Sequence, residues 1–528
     1  MIARMVLLTL LLLMVVSCSR APEGPVVKTA SGEVQGFIQE GVHTFYGIPY
    51  AMPPVGDLRW QPPHEAEAWQ GILQAVKAPN ACYQYMLYMK RGEEDCLYLN
   101  IWTPSVLPLK PLPVMVWFHG GGFIGGDGIQ GTESTRLAGQ GDVVSVSMNY
   151  RVGPLGFLSH PALTAEQGAS GNYGIQDQRA ALQWVKANIA QFGGDPENIT
   201  IFGESAGGWS VCLHMISPES AGLFDKAIIQ SGPCNTLFAD LSLAEQQGLE
   251  MEKRLGCEGD DALACMRSQS PERLIEVMPN DPGFAFGEGY EAWMPVIDKK
   301  VLTRQFAEAF DSGKFNQVPV INGANGNEGN LLIMFSHNYR MEPLDAADYE
   351  KRLLWLAQGS QEVADALLVH YPLSDYAEPA LALSEAFGDG YLACQSIWAS
   401  EHLSQHVPVD SYIFNYKHAD FILPELIELG AFHSAELQFV FNRPMAWFEN
   451  RFSGDELLLS EQMMGDWTRF AYTGNPNKPD DPHWPLFNTR QEQLFYDLEL
   501  STQQGWKDED CNFWRSLDFG YVKGRQQG

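Results

Sequence analysis

The chain has 528 residues, of which 45% are hydrophobic and fourteen are tryptophan, so it is long and apolar enough to bury a large core. Its length suits two to four average domains or one large α/β enzyme domain. The formal net charge of −31 argues against nucleic acid as a partner, because phosphate contacts need clustered Lys and Arg, and it equally disfavours an electrostatic grip on anionic lipid headgroups.

The N-terminus has the features of an export signal. Arg4 supplies a basic start, residues 5–16 are apolar apart from Thr9, and small residues lead to Cys18. This pattern resembles a bacterial lipoprotein signal, so we predict a signal peptide over 1–17, lipidation of Cys18 and a tether over 18–32. The protein would then be anchored in the cell envelope by lipid alone. The alternative is an ordinary secretory signal with an incidental Cys18, which would make the protein secreted.

Buried strands and helices alternate along the rest of the chain, which we predict to be one domain over 33–525. The predicted strands lie at 34–38, 42–46, 97–102, 114–118, 143–149, 199–202, 227–230, 318–321 and 411–416. Helices are predicted at 176–192 and 461–472, the latter capped by Gly474, and helical insertions at about 231–317 and 349–406. The alternation predicts an α/β fold with a mostly parallel sheet, the first insertion lying over its C-terminal edge.

The segment 198–210, NITIFGESAGGWS, combines a short buried strand, a tight turn and a small-residue helix. Residues 203–207 fit G-x-S-x-G, in which glycines flank a crowded turn and the one exposed side chain is a hydroxyl. Ser205 is therefore the candidate nucleophile. The alternative is a Gly/Ser turn with no chemistry.

A serine hydroxyl attacks carbonyls poorly unless a base takes its proton, and that base must be oriented by an acid. After a G-x-S-x-G serine, the acid and then the histidine follow in loops after later strands. Glu328 lies in the loop 323–330 after a predicted strand, and His433 lies in the later loop 430–434. They are the predicted acid and base.

A glycine-rich segment, HGGG at 119–122, follows the predicted strand 114–118. Glycines let the backbone approach a reacting carbonyl, so the N–H groups of Gly121, Gly122 and Ala206 are predicted to form an oxyanion hole. A phosphate cradle is the alternative, but the Lys-Ser/Thr that would follow it is missing. This chemistry needs no metal or organic cofactor.

Several further motifs accompany these residues, and with them the chain resembles the type-B carboxylesterases, the cholinesterase-like branch of the α/β-hydrolases, over nearly its whole mature length. The two signatures are at 94–100 (EDCLYLN) and 202–208 (FGESAGG), and supporting matches are NYRVG at 149–153, GNYG at 171–174, FGGDP at 192–196, GNEG at 326–329 and the segment 430–441 with His433 and Glu436.

The resemblance implies an α/β-hydrolase fold, with helices on both faces of a large mostly parallel sheet and helical insertions over the active-site edge. It also implies the roles already assigned to Ser205, Glu328 and His433. His119 is interpreted as orienting the glycine loop. Two pairs, Arg59 with Glu94 and Arg151 with Asp177, look like ion pairs of the scaffold.

The cysteines divide into close and distant pairs. Cys82 with Cys96, and Cys257 with Cys265, could each close a short loop, while Cys212 and Cys234 lie in apolar surroundings that suit buried thiols. The resemblance implies the disulfides Cys82–Cys96, Cys257–Cys265 and Cys394–Cys511, the last of which spacing does not indicate.

Departures from the family bear on the substrate. In acetylcholine-hydrolysing members, a tryptophan in the first disulfide loop receives the ammonium group, whereas the segment 82–96 has Tyr83, Tyr85 and Tyr88 but no tryptophan. The residues 290–294 upstream of Pro295 suggest a different, roomier acyl side, and Trp209 is either a pocket wall or a packed core aromatic. We predict a small-molecule, uncharged or modestly polar carboxylic ester as substrate.

Three alternatives remain open at this point. A catalytically silent adhesion or binding protein would share the fold. Within enzymes, a lipase acting on long acyl chains and a hydrolase of carbamates or xenobiotic esters are the competitors. The sequence does not indicate an oligomeric state.

Overall fold

One large mixed sheet of thirteen strands runs through the described residues of this computed structural model. The structure describes residues 23–517 and 522–523, with gaps at 87–88, 278–292, 337–343, 418–428, 445–450, 481–482 and 489. The predicted signal peptide, Cys18, the first part of the tether, Tyr88 and residues 290–292 lie outside the described residues.

The strands of the described chain are numbered here in chain order. They are β1 (Glu23–Lys28), β2 (Glu33–Gln39), β3 (Val42–Pro49), β4 (Ile72–Gln74), β5 (Gln84–Met86), β6 (Met89–Arg91), β7 (Tyr98–Thr103), β8 (Leu112–Phe118), β9 (Val144–Met148), β10 (Gly194–Glu204), β11 (Lys226–Gln230), β12 (Leu237–Phe238), β13 (Val320–Asn325), β14 (Val409–Phe414), β15 (Glu492–Tyr496), β16 (Ser501–Gln504) and β17 (Val522–Lys523).

The strand order in the large sheet is β1-β2-β3-β7-β9-β8-β10-β11-β13-β14-β15-β16, with β4 paired to β2. The run from β9 to β15 is parallel throughout. At one side β7, β3, β2 and β1 pair antiparallel, with β4 parallel to β2, and at the other edge β16 pairs antiparallel with β15. Two small ribbons, β5-β6 and β12-β17, lie apart. The predicted mostly parallel sheet is confirmed.

The α-helices of the described chain connect and cover these strands. They are α1 (Thr135–Gly141), α2 (Gly153–Phe157), α3 (Pro161–Gln167), α4 (Tyr173–Asn188), α5 (Ala206–Ile216), α6 (Leu241–Leu255), α7 (Ala262–Ser268), α8 (Pro271–Val277), α9 (Phe306–Asp311), α10 (Glu328–Ser336), α11 (Ala346–Leu356), α12 (Gln361–His370), α13 (Pro379–Gly388), α14 (Cys394–Leu403), α15 (Leu437–Val440), α16 (Gly454–Thr473) and α17 (Asp508–Ser516).

Both faces of the sheet are covered, as the side chains of β8 show. Val114, Val116 and Phe118 belong to one buried cluster, which includes residues of α4 and α5. The alternate residues Met115 and Trp117 belong to a second cluster, which includes residues of α16. Alternate side chains of a strand point to opposite faces, so a strand buried on both sides needs a continuous apolar run such as this one.

Two predicted helices differ from the observed ones at their ends. The last long helix begins at Gly454, because Ser453 and Glu456 form a reciprocal capping box there, and it ends at the predicted Gly474 cap with φ 76°. The helix predicted at 176–192 begins at Tyr173 and finishes as a short 3₁₀ turn from Ile189 to Phe192.

Four disulfides lie in the described chain. Three of them are the pairs that the resemblance implies, Cys82–Cys96, Cys257–Cys265 and Cys394–Cys511. The fourth, Cys212–Cys234, corrects the interpretation of those two residues as thiols. Both are fully buried, as their apolar surroundings indicated, but α5 passes beside the segment after β11 and brings their Cα atoms to 6.0 Å.

None of the described helices combines the length and the hydrophobicity that crossing a membrane requires.

Candidate active site

Ser205 occupies the turn between β10 and α5. Its backbone has φ 57° and ψ −122°, a conformation that non-glycine residues rarely adopt outside functional sites. The flanking positions must lack side chains, since a Cβ on Gly203 would lie 2.5 Å from the carbonyl carbon of Gly207, and one on Gly207 would lie 2.0 Å from the carbonyl oxygen of Phe118. Ser205 is half-buried between two buried neighbours.

The glycine loop after β8 passes directly beside this turn. A Cβ on Gly120 would lie 3.2 Å from Cβ of Ser205, so a side chain at that position would enter the space next to the serine. Gly121 and Gly122 have φ of 112° and 60°, which glycine adopts without strain. The loop therefore depends on glycine both for its conformation and for its approach to Ser205.

Three backbone donors around Ser205 are unused within the described part of the chain. The N–H groups of Gly121, Gly122 and Ala206 donate to no other described residue. Ala206 is the first residue of α5, where amide groups have no partner within the helix. Such free donors beside a serine are what an oxyanion requires.

His119, the first residue of the glycine loop, is held by contacts with Tyr150. Its ring stacks on Tyr150 with centroids 4.1 Å apart, and the Tyr150 hydroxyl donates to the His119 carbonyl at 2.7 Å. Burial lowers the pKa of His119 to about 4, so the imidazole is neutral at physiological pH. These contacts agree with its interpretation as a residue that orients the loop.

Glu328 and His433 lie together at the carboxyl edge of the sheet. Nδ1 of His433 donates to Oε2 of Glu328 at 2.6 Å, and both residues are buried, with 4% and 2% of their surface exposed. The second oxygen of Glu328 accepts a hydrogen bond from the Asn325 backbone at 2.7 Å. The carboxylate is thus fixed by β13 and orients the imidazole.

Asn327 ties the two loops that carry this pair. Its backbone N–H donates to the Ala431 carbonyl at 2.9 Å, and its side-chain oxygen accepts from the Ala431 N–H at 3.0 Å. A Cβ on Gly430, which has φ 61°, would lie 2.3 Å from that oxygen. Glu328 and His433 lie 105 positions apart in the chain, and contacts between their two loops bring them together.

Comparison with known proteins identifies the family of this chain. A family model described as "Carboxylesterase family" matches residues 23–514, nearly the whole described chain. The chain belongs to the carboxylesterase family. An acetylcholinesterase from Bungarus fasciatus is 34% identical to it over 531 residues, which cover 92% of this chain and 85% of that protein.

A second carboxylate faces the histidine of this carboxylesterase-family chain. Oε1 of Glu204 lies 3.1 Å from Nε2 of His433, and the hydroxyl of Ser434 donates to the same oxygen at 2.6 Å. Glu436 lies behind them and accepts hydrogen bonds from Asn325 at 2.6 Å and from Gln230 at 3.0 Å. The imidazole is therefore placed between Glu204 and Glu328.

Charge governs the titration of this cluster. Burial alone lowers the pKa of His433, but the carboxylates of Glu204 and Glu328 outweigh burial and raise it to about 9. Burial raises the pKa of Glu204, and His433 and Ser434 oppose that rise. Burial also raises the pKa of Glu436 to about 7, with a further contribution from Glu204. The arrangement favours a positively charged imidazole.

Trp209 lies one turn along α5 from Ser205. It is 5% exposed, its Nε1–H donates to the Pro233 carbonyl at 2.7 Å, and its ring stacks on Phe123 and is tilted against Phe238. Phe123 directly follows the glycine loop. Trp209 is thus a packed aromatic residue that backs the loop and the serine.

The predicted ion pairs are both formed. Nη2 of Arg59 lies 2.6 Å from Oε2 of Glu94, and Nη2 of Arg151 lies 2.7 Å from Oδ1 of Asp177. The guanidinium of Arg59 also donates to the carbonyls of Arg267 and Gln269. These contacts brace the scaffold, as predicted.

Sequence reasoning missed two residues of the site, Glu204 and Ser434. Each is adjacent in sequence to a predicted catalytic residue, and Glu204 is the first of the two variable positions of the G-x-S-x-G motif. Adjacency is the one signal that pointed to them, since their mutual contact spans 230 positions in the chain.

Proposed function

We propose that this protein is a serine carboxylesterase in which Ser205 is the nucleophile, His433 the base and Glu328 the acid. The single observation that carries the proposal is the buried 2.6 Å hydrogen bond between His433 and Glu328, at the same sheet edge as a serine in a strained turn. Membership of the carboxylesterase family supports ester hydrolysis in general.

The proposed reaction passes through an acyl-enzyme. Ser205 attacks the ester carbonyl while Nε2 of His433 takes its proton, and the N–H groups of Gly121, Gly122 and Ala206 stabilise the oxyanion. His433 then protonates the leaving alcohol. Water repeats the sequence on the acyl group, with Glu328 holding the imidazole and stabilising its charged form.

Nε2 of His433 must turn toward the serine during this cycle. In the structure it lies against Glu204, and the described residues include no hydrogen bond between the Ser205 hydroxyl and His433. Catalytic hydrogen bonds often form only once substrate is bound. We therefore expect bound substrate to bring Ser205 and Nε2 together.

Uncharged or modestly polar esters are the proposed substrates. The related Bungarus fasciatus protein is named for acetylcholine, but the segment between Cys82 and Cys96 has no tryptophan to receive a quaternary ammonium group. Met86 of that segment lies beside Gly125, which follows the glycine loop, since a Cβ on Gly125 would lie 2.6 Å from Sδ of Met86. The first disulfide loop therefore packs next to the glycine loop. An acyl-chain series separates this proposal from a lipase, which would prefer insoluble long-chain esters.

The decisive test is hydrolysis of p-nitrophenyl acetate and butyrate by the wild type and by Ser205→Ala. We expect the wild type to be active and the variant to be at background, while Ser374→Ala, at an exposed serine, retains activity. A fluorophosphonate probe should label the peptide that contains Ser205. Equal background rates for wild type and Ser205→Ala would favour a non-catalytic adhesion or binding protein.

The four disulfides of the described chain indicate folding in an oxidising compartment. We further propose that Cys18 carries a lipid that anchors the protein in the cell envelope, on the basis of the apolar run and small residues before it. Intact-mass measurement of the mature protein should show an acylated Cys18. An unmodified N-terminus elsewhere would contradict lipidation.

A further inference from the structure

Ser434 has an unusual backbone for a residue next to the predicted base. Its φ is 74°, in the left-handed region where glycine is favoured and a Cβ is strained. Its hydroxyl donates to Oε1 of Glu204 at 2.6 Å, and that oxygen lies 3.1 Å from Nε2 of His433. The strained position thus presents a hydroxyl to the carboxylate of Glu204, which faces Nε2 of His433.

We propose that Ser434 is a positioning residue that holds the Glu204 carboxylate against the catalytic imidazole of His433. The inference rests on the proposed function, in which His433 is the base. Ser434 acts through Glu204 and is not proposed to touch the substrate.

The Glu204 carboxylate is held through one oxygen and borders the glycine loop with the other. Oε2 lies next to the glycine loop, where a Cβ on Gly120 would come within 2.7 Å of it. Oε1 is held by Ser434. Without the Ser434 hydroxyl, Oε1 loses a charge-assisted hydrogen bond, and the carboxylate is free to rotate away from Nε2.

The groups that face His433 and Glu204 come from several elements. Glu204 ends β10, Glu328 begins α10 and Glu436 precedes α15, and all three raise the pKa of His433 against the effect of burial. Tyr412 of β14 and Tyr150, before α2, are close enough to the carboxylates to be affected by them, and burial raises the pKa of each phenol. Both phenols are therefore neutral. Of the charged groups around His433, Glu204 is the one that Ser434 holds in position through a hydrogen bond.

The consequence is a defined change in the pH profile. If Glu204 moves away from Nε2, its attraction for the charged imidazole weakens and the proton leaves His433 at lower pH. The imidazolium that forms during catalysis is then also less stabilised, so the maximal rate falls. A merely structural role for Ser434 would lower the amount of folded enzyme without shifting the profile.

The test uses Ser434→Ala and Ser434→Gly in the full chain, with p-nitrophenyl acetate as substrate. Both remove the hydroxyl, whereas only glycine relieves the left-handed backbone. We expect both to move the acid limb of kcat/KM down by about half a pH unit and to lower the plateau about threefold. An unchanged limb in both variants, or a shift in Ser434→Ala alone, would overturn the proposal.

A double variant isolates the route through Glu204. In Glu204→Gln, the added Ser434→Ala substitution should cause no further shift, because the carboxylate that it positions is already gone. A shift of the same size in both backgrounds would show that Ser434 acts in another way.

A readout without substrate separates this inference from the proposed function. The Nδ1 proton of His433, hydrogen-bonded to Glu328, should give a far-downfield proton NMR signal, and its titration midpoint should fall in both Ser434 variants. If the wild type hydrolyses no ester, the proposed function fails and this titration still decides the role of Ser434. If the wild type is active and neither profile nor titration moves, the Ser434 inference alone fails.

Discussion

The side-chain amide of Gln84 is joined to both backbone groups of Gly126. Its Nε2 donates to the Gly126 carbonyl and its Oε1 accepts from the Gly126 N–H, each at 2.8 Å. Gln84 belongs to the first disulfide loop and is 1% exposed. A Cβ on Gly126 would lie 2.2 Å from Nδ1 of His119, so Gly126 lies directly beside the residue that orients the glycine loop. By holding Gly126, the Gln84 side chain also helps to hold His119 and the proposed oxyanion hole in place.

Gln84→Ala should therefore lower kcat more than it changes KM. Loss of both hydrogen bonds loosens the glycine loop, and a small displacement of the oxyanion donors should reduce kcat about tenfold. Steady-state kinetics on p-nitrophenyl acetate measure this. Gln74→Ala, which removes an exposed glutamine bonded to Gln35, is the matched control, and an equal effect from both variants would contradict the prediction.

The pH dependence of hydrolysis should follow the two carboxylates beside His433. Glu204 and Glu328 raise the pKa of His433 to about 9 despite burial, and only the uncharged imidazole can accept the Ser205 proton. Activity should thus be lost as pH falls, and kcat/KM should continue to rise above pH 6.5, the usual midpoint of histidine. Glu204→Gln removes one raising charge, so its acid limb should lie at lower pH; a limb at the wild-type position would contradict this assignment.

Local patterns predicted the sheet and much of the site, because they rest on neighbouring residues. The continuous apolar run of β8 predicted a strand buried on both faces of the sheet, and the glycines at 203 and 207 predicted the tight turn at Ser205. The contact of Glu204 with Ser434 joins residues 230 positions apart, and it exists because β10 and the segment after β14 end at the same sheet edge. Neither hydrophobic periodicity nor motif spacing indicates a contact between residues so far apart in the chain.

The disulfide Cys212–Cys234 was missed for the same reason, and it makes a chemical prediction. Under denaturing conditions without reductant, neither cysteine should react with a thiol reagent, whereas Cys212→Ala should free one thiol at Cys234. Closing a loop of 22 residues should make the wild type more stable to denaturant than Cys212→Ala/Cys234→Ala by about 3 kcal/mol. Alkylation of both residues in the unreduced wild type would contradict the bond.

Substitutions of Trp209 should distinguish a side chain that only packs in the core from one that also limits the acyl pocket. Its ring packs on Phe123 and its indole N–H is satisfied by the buried Pro233 carbonyl. Trp209→Phe keeps an aromatic ring but removes this hydrogen bond, while the Pro233 carbonyl still accepts from the Thr236 N–H at 3.1 Å. We therefore expect a modest loss of about 0.5 to 1.5 kcal/mol of folding free energy.

Trp209→Ala should destabilise the protein more than Trp209→Phe and should also change the acyl preference. Removing a buried indole should cost about 3 to 5 kcal/mol, and the space opened behind Phe123 should favour longer acyl chains. Unfolding in urea gives the stability, and the ratio of p-nitrophenyl octanoate to butyrate hydrolysis gives the acyl preference. If Trp209 only supports the fold, the ratio will stay at the wild-type value while stability falls, and the acyl specificity must then be set elsewhere. A raised ratio in Trp209→Ala with an unchanged ratio in Trp209→Phe would show that the indole's volume limits the acyl group.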